Sequence, residues 1–232
     1  MKSKIIVITG GFGTLGRALA QEAAARGALV ALVDVAPQSS YQSVAAAGSV
    51  FASYGSVDLQ QPEAAAAVLD DIVTRFGQID ALANVAGGFL WQSVANGDTE
   101  SWDRLYGQNV RTALNMSRAA IPHMLKLGSG AIVNVGANAA NKAAAGMGAY
   151  AASKSGVHRL TEALAEELKS TGVRVNAVLP SILDTAPNRA DMPQADFSQW
   201  VTPTDLARVI LFLLSDEARA ITGALLPVTG RV

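Results

Sequence analysis

The stretch that decides the fold of this chain is IIVITGGFGTLG, residues 5–16. Its β-branched run predicts a buried strand, and a helical pattern begins at Phe12. Between them, Gly10, Gly13 and Gly16 have the spacing G-x-x-G-x-x-G. Glycine is needed where a backbone turns sharply or nears a phosphate, and the next helix's N-terminus attracts anions. The stretch predicts a dinucleotide phosphate loop, with a plain strand–helix turn as the alternative.

Apolar strands and longer helical patterns alternate along the whole chain on both sides of this stretch. The predicted strands cover residues 4–8, 29–33, 50–57, 79–84, 131–135, 173–179 and 224–228. The predicted helices cover residues 12–26, 62–76, 99–126, 150–169 and 203–215. This alternation predicts an α/β fold of the Rossmann type, a doubly wound and mostly parallel sheet with helices on both faces. In such sheets the ligand lies beyond the carboxyl ends of the strands.

The composition fits a single domain over residues 1–232. Half of the residues are hydrophobic and the net charge is −1, so we expect neither disorder nor a binding surface for nucleic acid or membrane. The chain has no cysteine and two histidines, and we predict no metal site. The first apolar run is too short for a signal peptide or a membrane span, so a cytoplasmic protein is expected.

One long connection interrupts the alternation. Residues 180–203 contain four of the eight prolines and are predicted to lack regular secondary structure. Connections of this length in a compact domain are usually functional. We predict a lid over a substrate.

An acidic residue ends the second predicted strand. Asp34 follows Gly16 by 18 residues, the distance expected of a carboxylate that binds the ribose hydroxyls of adenosine. It would repel a 2′-phosphate, and residues 35–36 supply no compensating cation, although Arg17 lies nearby. We therefore predict NAD(H) rather than NADP(H), with a solvated strand-end acid as the alternative. The glycine-loop residues expected to contact this cofactor are Gly10, Phe12, Gly13, Thr14, Leu15 and Gly16.

Two further strand ends carry candidate cofactor contacts. Asp58 can accept a hydrogen bond from the adenine amine, or it can serve as an ordinary helix-capping or loop residue. After the fourth strand, Ala86 and Gly87 allow the backbone to pass close to the cofactor, while Asn84 can brace neighbouring strands. A plain turn is the competing interpretation.

Tyr150 and Lys154 form a candidate proton-transfer pair. Positions i and i+4 share a helix face, so the phenol and the ammonium should point the same way. A nearby cation would lower the tyrosine pKa and make the phenol a usable acid or base. Alone, Y-x-x-x-K is a common coincidence; together with the glycine loop it predicts catalysis.

The chain resembles the short-chain dehydrogenase/reductase family over essentially its whole length. The resemblance rests on residues 9–16, Asp34, Asp58, Asn84, Ala86, Gly87, Asn109, Tyr150, Lys154 and Pro180. It implies an NAD(P)-dependent enzyme in which Asn109 holds a water behind the lysine and Thr185 contacts the nicotinamide carboxamide. It also implies a homodimer or homotetramer that pairs two long helices.

One position departs from the family pattern. Thirteen residues before Tyr150, where the family usually has a serine that donates to the substrate carbonyl, stands Ala137. Dihydropteridine reductases share this alanine and prefer NADH, and residues 179–189 and 192–200 are similar to theirs. This closer resemblance implies a quinonoid dihydropterin as substrate. Phe89 replaces a tryptophan of that branch.

The candidate substrate contacts are Phe89, Ala137, Met147 and Trp200, although core packing is an equal alternative for Met147, Trp200 and the nearby Trp91. The leading hypothesis is a reductase that takes hydride from NADH, with Tyr150 as proton donor. A generic NAD-dependent alcohol or carbonyl dehydrogenase is the first alternative. A non-catalytic dinucleotide sensor or scaffold is the second.

Overall fold

The computed structural model describes residues 1–40 and 50–232. The strands are β1 (Ile5–Thr9), β2 (Leu29–Val33), β3 (Val50–Tyr54), β4 (Ala81–Asn84), β5 (Gly130–Val135), β6 (Val173–Pro180) and β7 (Leu225–Val228). The α-helices are α1 (Thr14–Ala25), α2 (Pro62–Phe76), α3 (Glu100–Tyr106), α4 (Thr112–Leu127), α5 (Gly148–Glu167), α6 (Ala186–Asp191) and α7 (Pro203–Leu214). A π-helical turn, Gly107–Arg111, joins α3 to α4.

The strands form one seven-stranded sheet in the order β3-β2-β1-β4-β5-β6-β7, and all its pairs are parallel. The predicted Rossmann-type, doubly wound fold is confirmed. The chain reverses its direction of winding between β1 and β4, where Thr9 pairs with Asn84. This reversal opens a crevice at the carboxyl ends of the two strands, where such sheets bind ligands.

The core divides into two layers because side chains alternate across each strand. Ile6 and Ile8 of β1 are fully buried in the cluster that contains α1 and α7. Ile5 and Val7 point to the other face, into the cluster that contains α2 and α4. Strands buried on both faces explain the nearly continuous apolar runs in the sequence.

The structure departs from the predicted elements at three places. The third strand, predicted for residues 50–57, ends at Tyr54 because Ser56 has a positive φ of 59° that breaks the extended chain. The predicted helix 99–126 is divided by the π-helical turn. The segment 180–203, predicted to be irregular, contains α6 and a 3₁₀ turn, Phe197–Gln199. Its role as a lid stays a prediction. Among the helices of the described residues, none is long and apolar enough to cross a bilayer.

Candidate active site

The glycine turn after β1 is built for a close backbone approach. Gly10 has φ +61°, and a Cβ at this position would lie 2.9 Å from the Cα and N atoms of Ala86. A Cβ at Gly16 would lie 2.8 Å from the Cα of Gly11 and closer still to Gly10 O. The turn therefore requires glycine both for its conformation and for its packing against the loop after β4. This leaves the N-terminus of α1 open toward the crevice.

A cavity of about 570 Å³ occupies this crevice. It is lined by Gly10, residues 12–17, residues 34–36, residues 57–60, residues 85–87, Gln108 and Thr112. The structure thus brings together ten of the predicted cofactor contacts: Gly10, Phe12, Gly13, Thr14, Leu15, Gly16, Asp34, Asp58, Ala86 and Gly87. The shape and the donor set fit the adenosine and pyrophosphate of a dinucleotide, because helix N–H groups and carboxylates meet at one edge of the sheet.

Both oxygens of the Asp34 carboxylate are already held by the backbone. Oδ2 accepts from the N–H of Phe12 at 2.9 Å, and Oδ1 accepts from the N–H of Ala36 at 2.9 Å. The carboxylate therefore stands at a fixed place between the glycine turn and the end of β2, with lone pairs remaining for ribose hydroxyls. Asp58 is oriented less tightly: its Oδ1 accepts from the N–H of Gln60 at 3.0 Å.

A buried polar chain braces the strand ends behind the cavity. Thr9 Oγ1 accepts from the N–H groups of Val85 and Ala86, both at 3.0 Å. Asn84 Nδ2 donates to Asn134 Oδ1 at 2.8 Å, and Asn134 Nδ2 donates to Thr161 Oγ1 at 2.9 Å. The predicted bracing role of Asn84 fits this geometry, and Asn84 does not line the cavity.

Asn134 and Thr161 were not predicted as site residues. An asparagine inside an apolar strand could have indicated a buried hydrogen-bond network, because a buried amide needs partners.

Asn109 links the cofactor crevice to α5. In the π-helical turn, its Oδ1 accepts from the N–H of Gly88 at 2.8 Å and its Nδ2 donates to Ser153 Oγ at 2.8 Å. A Cβ at Gly87 would lie 2.5 Å from Asn109 Oδ1 and 3.3 Å from Lys154 Nζ. Asn109, Lys154 and Gly87, each predicted separately as a site residue, therefore lie close together. Asn109 lies within the π-helical turn, a type of local structure that is frequent at functional sites.

Tyr150 and Lys154 lie one turn apart on α5, at the same edge of the sheet. Burial raises the pKa of Tyr150 to about 12 and lowers that of Lys154 to about 8. The expectation that the lysine would lower the tyrosine pKa is wrong for this structure. The reason is that Lys154 Nζ donates to the carbonyl oxygen of Val135 at 2.7 Å, and desolvation dominates at the phenol. Tyr150 is therefore protonated at neutral pH, the state that a proton donor needs.

Ala137 follows β5 and is 3% exposed. Its N–H donates to Nε2 of His158 at 3.4 Å, and a Cβ at Gly136 would lie 2.6 Å from the same nitrogen. The pKa of His158 is lowered by burial first, then by the charges of Arg159 and Lys154, which keeps the imidazole neutral as an acceptor. No role was predicted for His158 from the sequence. Its position four residues after Lys154 could have indicated that the two side chains share a helix face.

Two of the substrate candidates lie around Tyr150. The Phe89 ring meets the Tyr150 ring edge to face, with centroids 4.9 Å apart, and is 56% exposed. Met147 stands at the N-terminus of α5, where its carbonyl accepts from the N–H of Ala151 at 2.8 Å. Phe89 thus borders the Tyr150 phenol.

The remaining candidates lie in or beside the segment after β6. Pro180 is the last residue of β6 and pairs with Val228. Thr185 caps α6, with Oγ1 accepting from the N–H of Asn188 at 3.4 Å. Trp200 is only 7% exposed and packs against Phe197 at 4.8 Å between ring centroids. Neither Thr185 nor Trp200 lines the cavity, and packing is the role that the structure shows for Trp200.

Comparison with known proteins places this arrangement in a family. Residues 4–196 match the short chain dehydrogenase family model. The chain is 33% identical to 2-(S)-hydroxypropyl-CoM dehydrogenase 3 of Xanthobacter autotrophicus, over 99% of this chain and 96% of that protein. It is 32% identical to meso-2,3-butanediol dehydrogenase of Serratia marcescens, over 98% and 94% of the two chains.

Solved structures give the same result. A short-chain type dehydrogenase/reductase from Mycobacterium ulcerans superposes with a TM-score of 0.92 at 27% identity, covering 100% of this chain and 90% of that one. NAD⁺-bound xylitol dehydrogenase superposes with a TM-score of 0.90 at 27% identity, covering 99% and 98%. The chain belongs to the short chain dehydrogenase family. The predicted family and the prediction of an oxidoreductase enzyme are confirmed. This result disfavours the alternative of a non-catalytic sensor or scaffold.

Proposed function

We propose that the chain is an NADH-dependent reductase that transfers hydride to a small planar substrate, with a quinonoid dihydropterin as the best chemical fit. The observation that carries this substrate class is Ala137, which offers no hydroxyl where a carbonyl substrate would need one. A ketone enzyme without such a donor would lose transition-state stabilisation, by about a hundredfold or more in comparable oxyanion sites. An electron-poor quinonoid ring accepts hydride without a polarised ketone.

The cofactor proposal is supported by the glycine turn and by Asp34. The turn leaves room and backbone N–H groups for a pyrophosphate, and the Asp34 carboxylate is fixed where ribose hydroxyls would donate to it. A 2′-phosphate would meet this negative charge, which favours NADH over NADPH. The NAD⁺-bound state of the xylitol dehydrogenase relative adds to this support. Bound NADH would supply the hydride.

The residues around the nicotinamide half of the crevice would handle the proton. Tyr150 keeps its proton at neutral pH and can donate it to the substrate atom that gains negative charge. Lys154 lies beside Gly87 and would contact the nicotinamide ribose. Asn109, bound to Gly88 and Ser153, would hold a water that returns a proton from solvent. Pro180 and Thr185 would border the carboxamide, and Phe89, Ala137, Met147 and Trp200 the substrate.

A second candidate function is a generic NAD-dependent alcohol or carbonyl dehydrogenase. The relatives named for 2,3-butanediol and 2-hydroxypropyl-CoM favour it. In that case Asn138, next to Ala137, or a water would replace the missing serine. The first proposal, by contrast, includes a close relationship to the dihydropteridine reductases. Residues 179–189 and 192–200, together with Ala137, support that relationship.

A substrate panel tests the two candidates. Purified enzyme is assayed for NADH and NADPH oxidation with a quinonoid dihydropterin, a small quinone, acetoin and a 3-oxoacyl thioester. The proposal expects the highest kcat/KM with NADH and the pterin, by at least about tenfold over acetoin. Faster turnover of acetoin or the thioester would establish the second candidate instead.

We also propose that the protein acts in the cytoplasm as a homodimer or homotetramer, with no nucleic-acid or membrane partner. The exposed aromatic side chains Trp102 and Tyr106 on α3, a helix that packs on α5, support an interface at these helices. A light-scattering mass equal to the 23.9 kDa monomer would contradict the assembly.

A further inference from the structure

An exposed indole is held in a fixed position near the active site. Trp91 is 62% exposed, yet its ring lies against the backbone of Gly146. A Cβ at Gly146 would lie 2.6 Å from Trp91 Cδ2 and closer still to Cε2 and Nε1. Gly146 also has φ +75°, which L side chains rarely adopt. The position therefore needs glycine for its own conformation and for the indole above it.

This contact joins the two loops that flank Tyr150. The neighbouring Gln92 donates its N–H to Gly146 O at 2.8 Å, so the loop after β4 is tied to the segment before α5. The same loop carries Phe89, whose ring rests edge to face on Tyr150. Gly146 precedes Tyr150 by four residues. Two exposed rings on this loop are thus anchored near the start of α5, Phe89 on Tyr150 and Trp91 on Gly146.

Core packing does not account for Trp91. A buried tryptophan contributes a large apolar area to stability, and Trp200, at 7% exposure, does so in this chain. Trp91 leaves most of its ring in solvent while its position is fixed by backbone contacts. A rigid, exposed aromatic face is suited to stacking on a flat ligand, at little entropic cost because the side chain is already ordered.

We propose that Trp91 determines substrate specificity by stacking on a planar, electron-poor heteroaromatic ring, and that Gly146 sets the position of the indole. This inference rests on the proposed function and deepens it, because it selects flat bicyclic acceptors over small ketones and diols. The face of an indole is electron-rich, so it stacks well on an electron-poor ring, whereas acetoin presents no ring to stack.

Ligand binding tests the stacking directly. The chain has three tryptophans, of which Trp91 and Trp102 are exposed, at 62% and 39%. Enzyme saturated with NAD⁺ is titrated with 6-methylpterin, an oxidised pterin, while tryptophan fluorescence is recorded. We expect quenching that persists in Trp102→Phe and disappears in Trp91→Phe. Quenching that survives in Trp91→Phe would overturn the proposal.

Steady-state kinetics distinguish a loss of substrate specificity from a loss of folding in the Trp91 variants. Trp91→Ala should raise KM for the quinonoid dihydropterin by about 5- to 100-fold, the range of aromatic stacking on a base, with kcat changed less than about threefold. Trp91→Phe should restore most of the loss. KM for acetoin and the melting temperature should stay unchanged. Equal KM increases for pterin and acetoin, or no increase for pterin, would overturn the inference.

Gly146→Ala provides a matched test of position. It leaves the indole in the chain but displaces it, so we expect a KM increase for the pterin comparable to that of Trp91→Ala. A smaller oligomer in Trp91→Ala, with unchanged pterin binding, would mean that Trp91 serves an interface instead. If the wild-type enzyme reduces no planar acceptor, the proposed function fails, while the 6-methylpterin titration still tests Trp91 independently.

Discussion

The ammonium of Lys154 donates a 2.7 Å hydrogen bond to the carbonyl oxygen of Val135, at the carboxyl end of β5. This bond ties α5 to the edge of the sheet where the cofactor crevice opens. The ammonium is buried there without a carboxylate partner in any ion pair of the described residues, and its pKa falls to about 8. This group should therefore contribute to the pH dependence of stability and activity.

Replacing Lys154 by methionine should remove a pH dependence of folding. The lysine pKa is about 8 in the folded state and has its ordinary value of 10.5 in the unfolded chain, so the unfolded chain binds more protons between these values. Stability of the wild-type protein should rise as pH goes from 8 to 10, by about 2 kcal/mol relative to Lys154→Met. Urea unfolding at pH 7, 8, 9 and 10 measures this difference. Parallel curves for the two proteins would contradict a depressed lysine pKa.

Asp34→Asn should relax cofactor choice. The substitution removes the negative charge that would repel a 2′-phosphate and keeps one acceptor for the N–H of Phe12 or Ala36. We expect the ratio of kcat/KM for NADH over NADPH to fall by about tenfold or more. Asp58→Asn is the control, and it should weaken both cofactors alike. An unchanged ratio in Asp34→Asn would remove the basis for NADH preference.

Gly10→Ala should abolish cofactor binding. The new Cβ would meet Ala86 at 2.9 Å and the residue has φ +61°. We expect NADH affinity to fall by at least about a hundredfold. Gly77→Ala is the matched control, because Gly77 has φ +88° with no atom near the new Cβ. It should cost about 1 kcal/mol of stability and leave NADH affinity intact. Equal NADH affinities in the two variants would contradict the close approach inferred at the turn.

Thr9→Val should loosen the crevice while preserving side-chain shape. The hydroxyl oxygen accepts from two backbone N–H groups, those of Val85 and Ala86. In the variant the Ala86 N–H would lose this acceptor, whereas the Val85 N–H keeps its bond to the carbonyl oxygen of Ala83 at 3.1 Å. One unsatisfied, part-buried donor costs about 1–3 kcal/mol, so we expect a loss in this range in chemical denaturation and a raised KM for NADH. Thr112→Val removes only a bond to the helix carbonyl of Gln108 and should cost under about 1 kcal/mol. Similar losses in the two variants would argue against the bracing role.

Periodicity alone was sufficient to predict the sheet, because strands buried on both faces leave continuous apolar runs. The glycine loop and Asp34 could also be predicted, because a sharp turn and a strand-end carboxylate are local features of the sequence. The π-helical turn at Gly107–Arg111 was not predictable, since the helical pattern of the sequence continues through it. The short helix α6 was hidden by the prolines around it, although a proline at its second residue is compatible with helix initiation.

The pKa values of the site residues could not be predicted from the sequence. The spacing of Tyr150 and Lys154 gives a shared helix face, but the pKa of each is shifted by burial, which depends on how α5 packs in the fold. The acceptor role of His158 toward Ala137 also depends on the packing of α5 against the end of β5. Only the folded arrangement shows that both Tyr150 and Lys154 are driven toward their neutral forms.

The most direct test of the account is a single-turnover measurement with Tyr150→Phe. Enzyme saturated with NADH is mixed with the best acceptor of the substrate panel, and NADH oxidation is followed at 340 nm. We expect the rate to fall by about 10²- to 10⁴-fold, the usual contribution of a general acid, while the Kd for NADH changes less than about threefold. A rate within threefold of wild type, with NADH bound, would contradict Tyr150 as the proton donor.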